Sequence, residues 1–404
     1  MNITISPSPL AGTVKAPPSK SMAHRLLIAA GLSNGTSEIR GIADSEDVLA
    51  TLDLLNALGA RCEKKEDVVT VTGTDLRRTH AVGTPSCREC GSTLRFFIPL
   101  CLLLDEEITL SGSERLFARP LGVYEDLCRE QGLTFRREQT SVTLRGPLRA
   151  GEFTLRGDVS SQFISGLLFA LPLCNGNSTI RLLPPIESRS YIDMTLDALA
   201  TFGVRAEWKD ELTLTVAGNQ TYTPCHTEVE GDYSNAAFFL ALRTLGMNVS
   251  VTDLPPSTRQ GDRICCDYFD ALEKGTPTLS IRDCPDLGPI LMAVAAAKHG
   301  CVLTDTRRLA IKESDRGAAM AEGLAKFGVS VTLTDDTITV PGGLLRTPDV
   351  PLSGHNDHRI VMALTTLATL VGGSIMGVEA VRKSLPEYFQ IMKSLGLEMN
   401  PYEA

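Results

Sequence analysis

Residues 47–73 read DVLATLDLLNALGARCEKKEDVVTVTG. Val48, Leu52, Leu55 and Leu58 recur at spacings of three and four, which places them on one face of a helix. Gly59 follows as a left-handed C-cap. After a polar turn, the β-rich run VVTVTG completes a hairpin. The pattern of helix, Leu-Gly, strand, turn, strand and Gly returns at 124–146 (YEDLCREQGLTFRREQTSVTLRG), 193–218 (DMTLDALATFGVRAEWKDELTLTVAG) and 317–342 (GAAMAEGLAKFGVSVTLTDDTITVPG). A truncated copy, YFQIMKSLGLEM, occupies 388–399.

The landmark glycines at 59, 132 and 203 lie 73 and 71 residues apart, and those at 328 and 396 lie 68 apart. The gap of 125 residues between 203 and 328 leaves room for one degenerate copy, which we assign to DYFDALEKGT at 267–276. Six units of about 67 residues are too long for a solenoid repeat but suit a βαβαββ module. A helix with a hairpin is common, but five copies in register are hard to credit to accident. Six modules predict a mixed α/β chain of the α+β type, divided into two domains of three. The crossing points fall at Pro17-Pro18 and at EVEGDYS, 228–234. Residues 1–18 plus 230–404 then form one domain and 19–229 the other.

Composition bounds the function. With 404 residues, 43% hydrophobic and 22% charged, the chain has an ordinary globular profile and exceeds one hydrophobic core. Apolar runs such as 96–104 and 290–297 are about half a membrane span. The start, MNITISPSPLAG, lacks a basic region followed by an apolar stretch, so no signal peptide is expected. A formal net charge of −9 argues against nucleic acid or an anionic membrane as partner. Eleven scattered cysteines read as reduced cytoplasmic thiols. Cys87 and Cys90 have C-x-x-C spacing, but zinc would require a second pair or histidines at ligand spacing, and neither is present. We expect no metal and no cofactor.

The chemistry-bearing clusters sit at starts of apolar helices. Pro18-Ser19-Lys20-Ser21-Met22-Ala23-His24-Arg25 precedes Leu26-Leu27-Ile28-Ala29, where free N–H groups and cations favour an anion. Glu89-Cys90-Gly91-Ser92-Thr93-Leu94-Arg95 lets a backbone approach closely at Gly91. Ala118-Arg119-Pro120 and Asp158-Val159-Ser160-Ser161-Gln162-Phe163 follow. Farther on come Asp286 in CPDLGPILMAVAAA, then Lys312-Glu313-Ser314-Asp315-Arg316, His355-Asn356-Asp357-His358-Arg359, and Lys383 in RKSLPEYF. Each cluster alone reads most simply as a surface ion pair or an N-cap. Together they place about eight basic residues at helix starts in both halves, an arrangement suited to phosphates and carboxylates bound between two domains.

The order SKSxxxR, GSTLR, ARP, VSSQF, SYIDMTL, EGDYSNAAFFL, PDLGPILMA, KESDR, NDHR and KSLPEYF spans the chain and closely resembles the 5-enolpyruvylshikimate-3-phosphate synthase family of enolpyruvyl transferases. The resemblance implies two domains, each of three βαβαββ units around a pseudo-threefold axis in an inside-out barrel, with the active site in the cleft between them. It implies transfer of the carboxyvinyl group of phosphoenolpyruvate to the 5-hydroxyl of shikimate 3-phosphate by a cytoplasmic monomer. Ser21, Arg25, Ser160, Ser161, Ser188, Tyr191, Asp286 and Lys312 would bind shikimate 3-phosphate. Lys20, Gly91, Arg119, Gln162 and Lys383 would hold the phosphoenolpyruvate phosphate, with Arg316 and Arg359 on its carboxylate and Arg95 nearby. Asp286 would take the hydroxyl proton, while Glu313, assisted by Lys20, would deliver and retrieve the C3 proton.

Two positions depart from the family pattern: Arg308 stands where Asn is frequent, and Glu89-Cys90 where several relatives carry Asn-Ala. A sister transferase acting on UDP-N-acetylglucosamine would carry a reactive cysteine near the ARP motif, and 111–120 has none. A non-catalytic phospho-ligand-binding paralogue predicts loss of Lys20, Asp286 or Glu313, and all three are present. An RNA-processing cyclase of similar architecture would need a basic face.

Overall fold

The computed structural model describes residues 1–80 and 82–401. The chain divides into two compact units, Lys20–Glu230 and a second made of Met1–Ser19 with Gly231–Ala404. Each unit has its own hydrophobic core.

In the unit Lys20–Glu230 one sheet pattern repeats: a parallel pair of strands followed by an antiparallel hairpin. His226–Glu228 runs parallel to Thr36–Arg40, which pairs with Val68–Thr72, which pairs with Arg61–Lys65. Glu152–Arg156, Ser178–Leu183, Thr213–Val216 and Ala206–Asp210 repeat the order. The third sheet holds Ile108–Ser111, Ser141–Arg145 and Thr134–Arg137, and a parallel bridge from Ser86 to Ser111 marks the place of the fourth strand. Since His226–Glu228, late in the unit, pairs with Thr36–Arg40 at its beginning, the three modules close on themselves.

The second unit repeats the pattern with one substitution and one loss. Thr278–Ser280, Gly300–Thr304, Thr337–Pro341 and Thr332–Leu333 form a complete sheet. In another sheet the short copy at the C-terminus supplies Met399–Pro401, and the N-terminal strand Asn2–Ile5 completes the hairpin beside Gly373–Met376. The degenerate copy keeps its helix, Cys265–Lys274, but not its hairpin. Gly275 is extended at φ 169°, and the strand after it opens the next sheet. The corresponding sheet has two strands, Ala11–Lys15 parallel to Asn248–Thr252.

The landmark glycines behave as the pattern requires: Gly59, Gly132, Gly203, Gly328 and Gly396 all have φ between 69° and 106°. A residue with a Cβ is strained in that region, so glycine ends these helices cheaply.

Two classes of helix result. The repeat helices are amphipathic and keep an exposed face. Others, including Gly91–Cys101, Ser161–Ala170, Gly288–Ala297 and His358–Val371, are buried nearly all round and fill the cores. The clusters at Gly91, 160–162, Asp286 and 357–359 lie where these buried helices begin, whereas 312–316 leads into the amphipathic repeat helix Arg316–Lys326. Among the described residues no helix is long and apolar enough to cross a membrane.

Candidate active site

In the unit Lys20–Glu230, four helix starts carry the predicted residues. Lys20 opens the helix Lys20–Gly31, and its Nζ donates to Asp47 Oδ2 at 2.7 Å, with both side chains about 15% exposed. Arg25, one turn on, is 2% exposed. Its Nε donates to Thr195 Oγ1 at 2.8 Å, its Nη2 to the Tyr191 carbonyl at 2.9 Å and its Nη1 to the Ser21 carbonyl at 2.6 Å. The guanidinium also lies 5.2 Å from the Phe96 ring centre. Burial lowers the Arg25 pKa to about 10, still charged at neutral pH. Ser21, Arg25 and Tyr191 are thereby brought together.

Gly91 begins the next helix. A Cβ there would lie 2.5 Å from Arg119 Nη1 and 3.0 Å from Arg95 Nη1, so only glycine lets both guanidinia approach the helix start. Arg95, 4% exposed, donates to Gln162 Oε1 at 2.7 Å, and Gln162 Nε2 donates to Ser92 Oγ at 2.8 Å. Gln162 sits in the first turn of Ser161–Ala170, where Ser160 Oγ accepts from its N–H at 3.3 Å. Gly91, Arg95, Arg119 and Gln162 therefore converge. A helix N-terminus flanked by two guanidinia attracts an anion. Ser188 precedes the helix Arg189–Thr201, fully buried and left-handed at φ 56°. Such a conformation in a residue with a Cβ costs about 1 kcal/mol or more, and it concentrates at functional sites.

In the second unit the charges interlock. Arg316, 1% exposed, opens Arg316–Lys326 and meets three carboxylates. Nη1 donates to Asp286 Oδ1 at 2.7 Å, Nη2 to Glu313 Oε2 at 2.6 Å and Nε to Asp357 Oδ2 at 2.9 Å. Lys312 Nζ lies 3.1 Å from Asp286 Oδ1, and Arg359 Nη2 donates to Asp286 Oδ2 at 3.2 Å. Burial alone would raise the Asp286 carboxyl, but Arg359, Lys312 and Arg316 outweigh it and hold it well below the usual range. Burial brings Lys312 down to about 8, with Asp286 opposing the fall and Arg308 adding to it. Arg308 is itself buried. The Arg316 pKa rises because its three carboxylates overcome burial. Lys383 Nζ donates to the Asn356 carbonyl at 2.7 Å, and Asn356 is left-handed at φ 51°.

Asp286, Lys312, Glu313, Arg316 and Arg359 thus form one cluster. Two acids that hold these side chains, one in each unit, have no role assigned from the sequence. Asp357, fully buried, caps His358–Val371 by accepting from Arg359 N at 3.0 Å while also holding Arg316 and Ser314 Oγ. An aspartate just before an apolar helix is an N-cap signal, and it accounts for half of that role. Asp47, the partner of Lys20, carried no sequence signal beyond an acid in a first helical turn. Glu89 is half-buried, and Cys90 is buried as the N-cap of Gly91–Cys101.

A family model described as EPSP synthase (3-phosphoshikimate 1-carboxyvinyltransferase) matches residues 5–273 and 270–392. A 3-phosphoshikimate 1-carboxyvinyltransferase from Clostridium kluyveri is 37% identical over 99% of this chain and 98% of its own length. Its counterpart from Clostridium perfringens is 36% identical, covering 98% of each. Among solved structures, EPSP synthase from Acinetobacter baumannii superposes with a TM-score of 0.80 at 21% identity, covering 99% of this chain and 100% of that one. The enolpyruvyl transferase NikO from Streptomyces tendae gives 0.79 at 15% identity, covering 100% and 99%. At these identities the structures speak to the fold alone.

Proposed function

This chain belongs to the EPSP synthase (3-phosphoshikimate 1-carboxyvinyltransferase) family, and from that premise we propose how its two charge clusters perform the transfer. The enzyme moves the carboxyvinyl group of phosphoenolpyruvate to the 5-hydroxyl of shikimate 3-phosphate and releases phosphate. The observation that carries the assignment of roles is the glycine-only helix start at Gly91 with Arg95 and Arg119 against it.

We assign the phosphoenolpyruvate phosphate to Gly91, Arg119, Gln162, Lys20 and Lys383. Arg25, Ser21, Ser160, Ser161, Ser188 and Tyr191 take shikimate 3-phosphate, joined by Lys312 and Asp286. In the addition step the 5-oxygen bonds to C2 of the enol as its proton passes to Asp286, and C3 gains a proton from Glu313 assisted by Lys20. In the elimination step C3 returns a proton and the C2–O bond to phosphate breaks. Lys20, Arg119 and Lys383 stabilise the charge that develops on the leaving group.

A carboxylate gripped by three cations is a weak base. Anionic substrates that draw Arg359, Lys312 and Arg316 toward themselves would raise the Asp286 pKa, matching its basicity to the step. Arg316 and Arg359 are assigned to the phosphoenolpyruvate carboxylate. For Arg316 this means exchanging part of its hold on Asp286 or Glu313 for the substrate. We further assign the protein to the cytoplasm as a monomer, which light scattering of the purified chain tests.

The deciding experiment measures phosphate release from phosphoenolpyruvate with each acceptor in turn. Release with shikimate 3-phosphate is expected. Release with UDP-N-acetylglucosamine alone would overturn the assignment.

A further inference from the structure

The C-x-x-C pair lacked a histidine at ligand spacing, but the fold supplies one from another helix. Cys90 Sγ lies 3.9 Å from His24 Nε2, and the Asp47 carboxylate completes a trio whose ligand atoms all lie within 4.8 Å of one another. Tetrahedral zinc bonded to one sulfur at about 2.3 Å and one imidazole nitrogen at about 2.0 Å sets the two ligand atoms roughly 3.5 Å apart. A contact of 3.9 Å therefore needs only a small closure.

The histidine is already oriented as a ligand. Its Nδ1 is held by Thr51 Oγ1 at 2.7 Å, and Thr51 is braced by Thr93 Oγ1 at 2.9 Å. In the tautomer that donates Nδ1–H to Thr51, the Nε2 lone pair faces Cys90. This is how a neighbouring hydrogen bond fixes the tautomer of a metal-binding imidazole. Burial, then Lys20 and Arg25, keep His24 neutral. The sulfur accepts the Thr93 N–H at 3.4 Å at the start of an eleven-residue helix, so a thiolate there would be met by a backbone donor.

We propose that His24, Asp47 and Cys90 form a binding site for a zinc-class divalent cation. Binding replaces the Cys90 S–H bond with a sulfur–metal bond, the proton passing to solvent, and no electrons change hands. Loss of the thiol proton and binding of the metal are thus linked. Asp47 must turn from Lys20 to the metal. If the function proposed above is right, the same event dislodges Lys20 and slows turnover. Occupancy itself does not depend on that reading.

The test uses the full chain in a Cys266→Ala background, which removes the exposed thiol. Cadmium titration should give a thiolate-to-metal absorption band that is lost on adding Cys90→Ala. Affinity should fall about tenfold or more on adding His24→Gln. No band in the background, or an undiminished band with Cys90→Ala, would overturn the proposal. If Cys90→Ala fails to fold, X-ray absorption of the zinc-loaded background chain decides. A sulfur shell at about 2.3 Å with imidazole scattering supports the site, and a shell of nitrogen and oxygen alone sinks it. Phosphate release slowed by zinc and restored by a chelator adds the functional consequence, and its failure beside a positive band would count against the role of Lys20 rather than against the site.

Discussion

The Arg316 guanidinium is almost wholly buried and shared among Asp286, Glu313 and Asp357. Removing one partner of such a buried charge strands the rest. Asp357→Ala should therefore destabilise the protein by roughly 3–5 kcal/mol, read by urea denaturation, with Asp357→Asn losing less because it keeps the hydrogen-bonding shape. Lys312 makes a different prediction. Its pKa near 8 means that the free protein loses this cation as pH rises through that value. The KM for shikimate 3-phosphate should then climb between about pH 7 and about pH 9, and Lys312→Arg, which stays charged, should flatten the rise. Gly91→Ala puts a methyl 2.5 Å from Arg119 Nη1. We expect a raised KM for phosphoenolpyruvate with little change in melting temperature, since the displaced group is the end of a flexible side chain. These residue types and their motifs are legible in the sequence. Their partners are not, because a carboxylate's cation can come from any helix start that the fold brings near.

At the scale of the element, the repeat was legible because three physical signals coincide in each copy: helical spacing of leucines, a glycine where φ must be positive, and alternation in the hairpin. Gly132 shows the second in isolation. It sits at φ 69° with no atom within 4 Å of where a Cβ would lie, so Gly132→Ala adds strain without a clash. That change should cost about 1–2 kcal/mol, measured as a lower urea midpoint with unchanged slope. The degenerate copy was legible only as a helix. Gly275 is extended there, and the strand that follows serves the next sheet, so no hairpin pattern existed to find. The crossing points at Pro17-Pro18 and 228–234 assign the N-terminal strand to the C-terminal half. The register Asn2↔Met376 through Ile5↔Gly373 shows the physical reason: it occupies the hairpin position that the truncated copy leaves open.

For the whole molecule, the two units carry different electrostatic risks. Asp286 and Asp357 both have depressed pKa values in the folded state, so they contribute stability above the unfolded carboxylate range near about pH 4 and lose it as pH falls below that. Both belong to the unit that contains residues 231–404, whereas the single tryptophan, Trp208, lies in the other. On acidification, far-UV dichroism should therefore begin to fall before tryptophan fluorescence changes, and coincident transitions would refute this order. The unit Lys20–Glu230 is continuous in sequence and its sheets close internally through His226–Glu228 and Thr36–Arg40. A fragment 20–230 should accordingly unfold cooperatively by itself. The sequence determined the repeat, the mixed α/β class and the family, because periodicity, turn chemistry and motif order are written along the chain. Only the tertiary structure decided that Asp357 and Asp286 share one arginine, that Gly91 excludes a side chain because two guanidiniums press on it, and that His24 faces Cys90. Those facts depend on distances between residues tens of positions apart, which packing sets and local sequence does not encode.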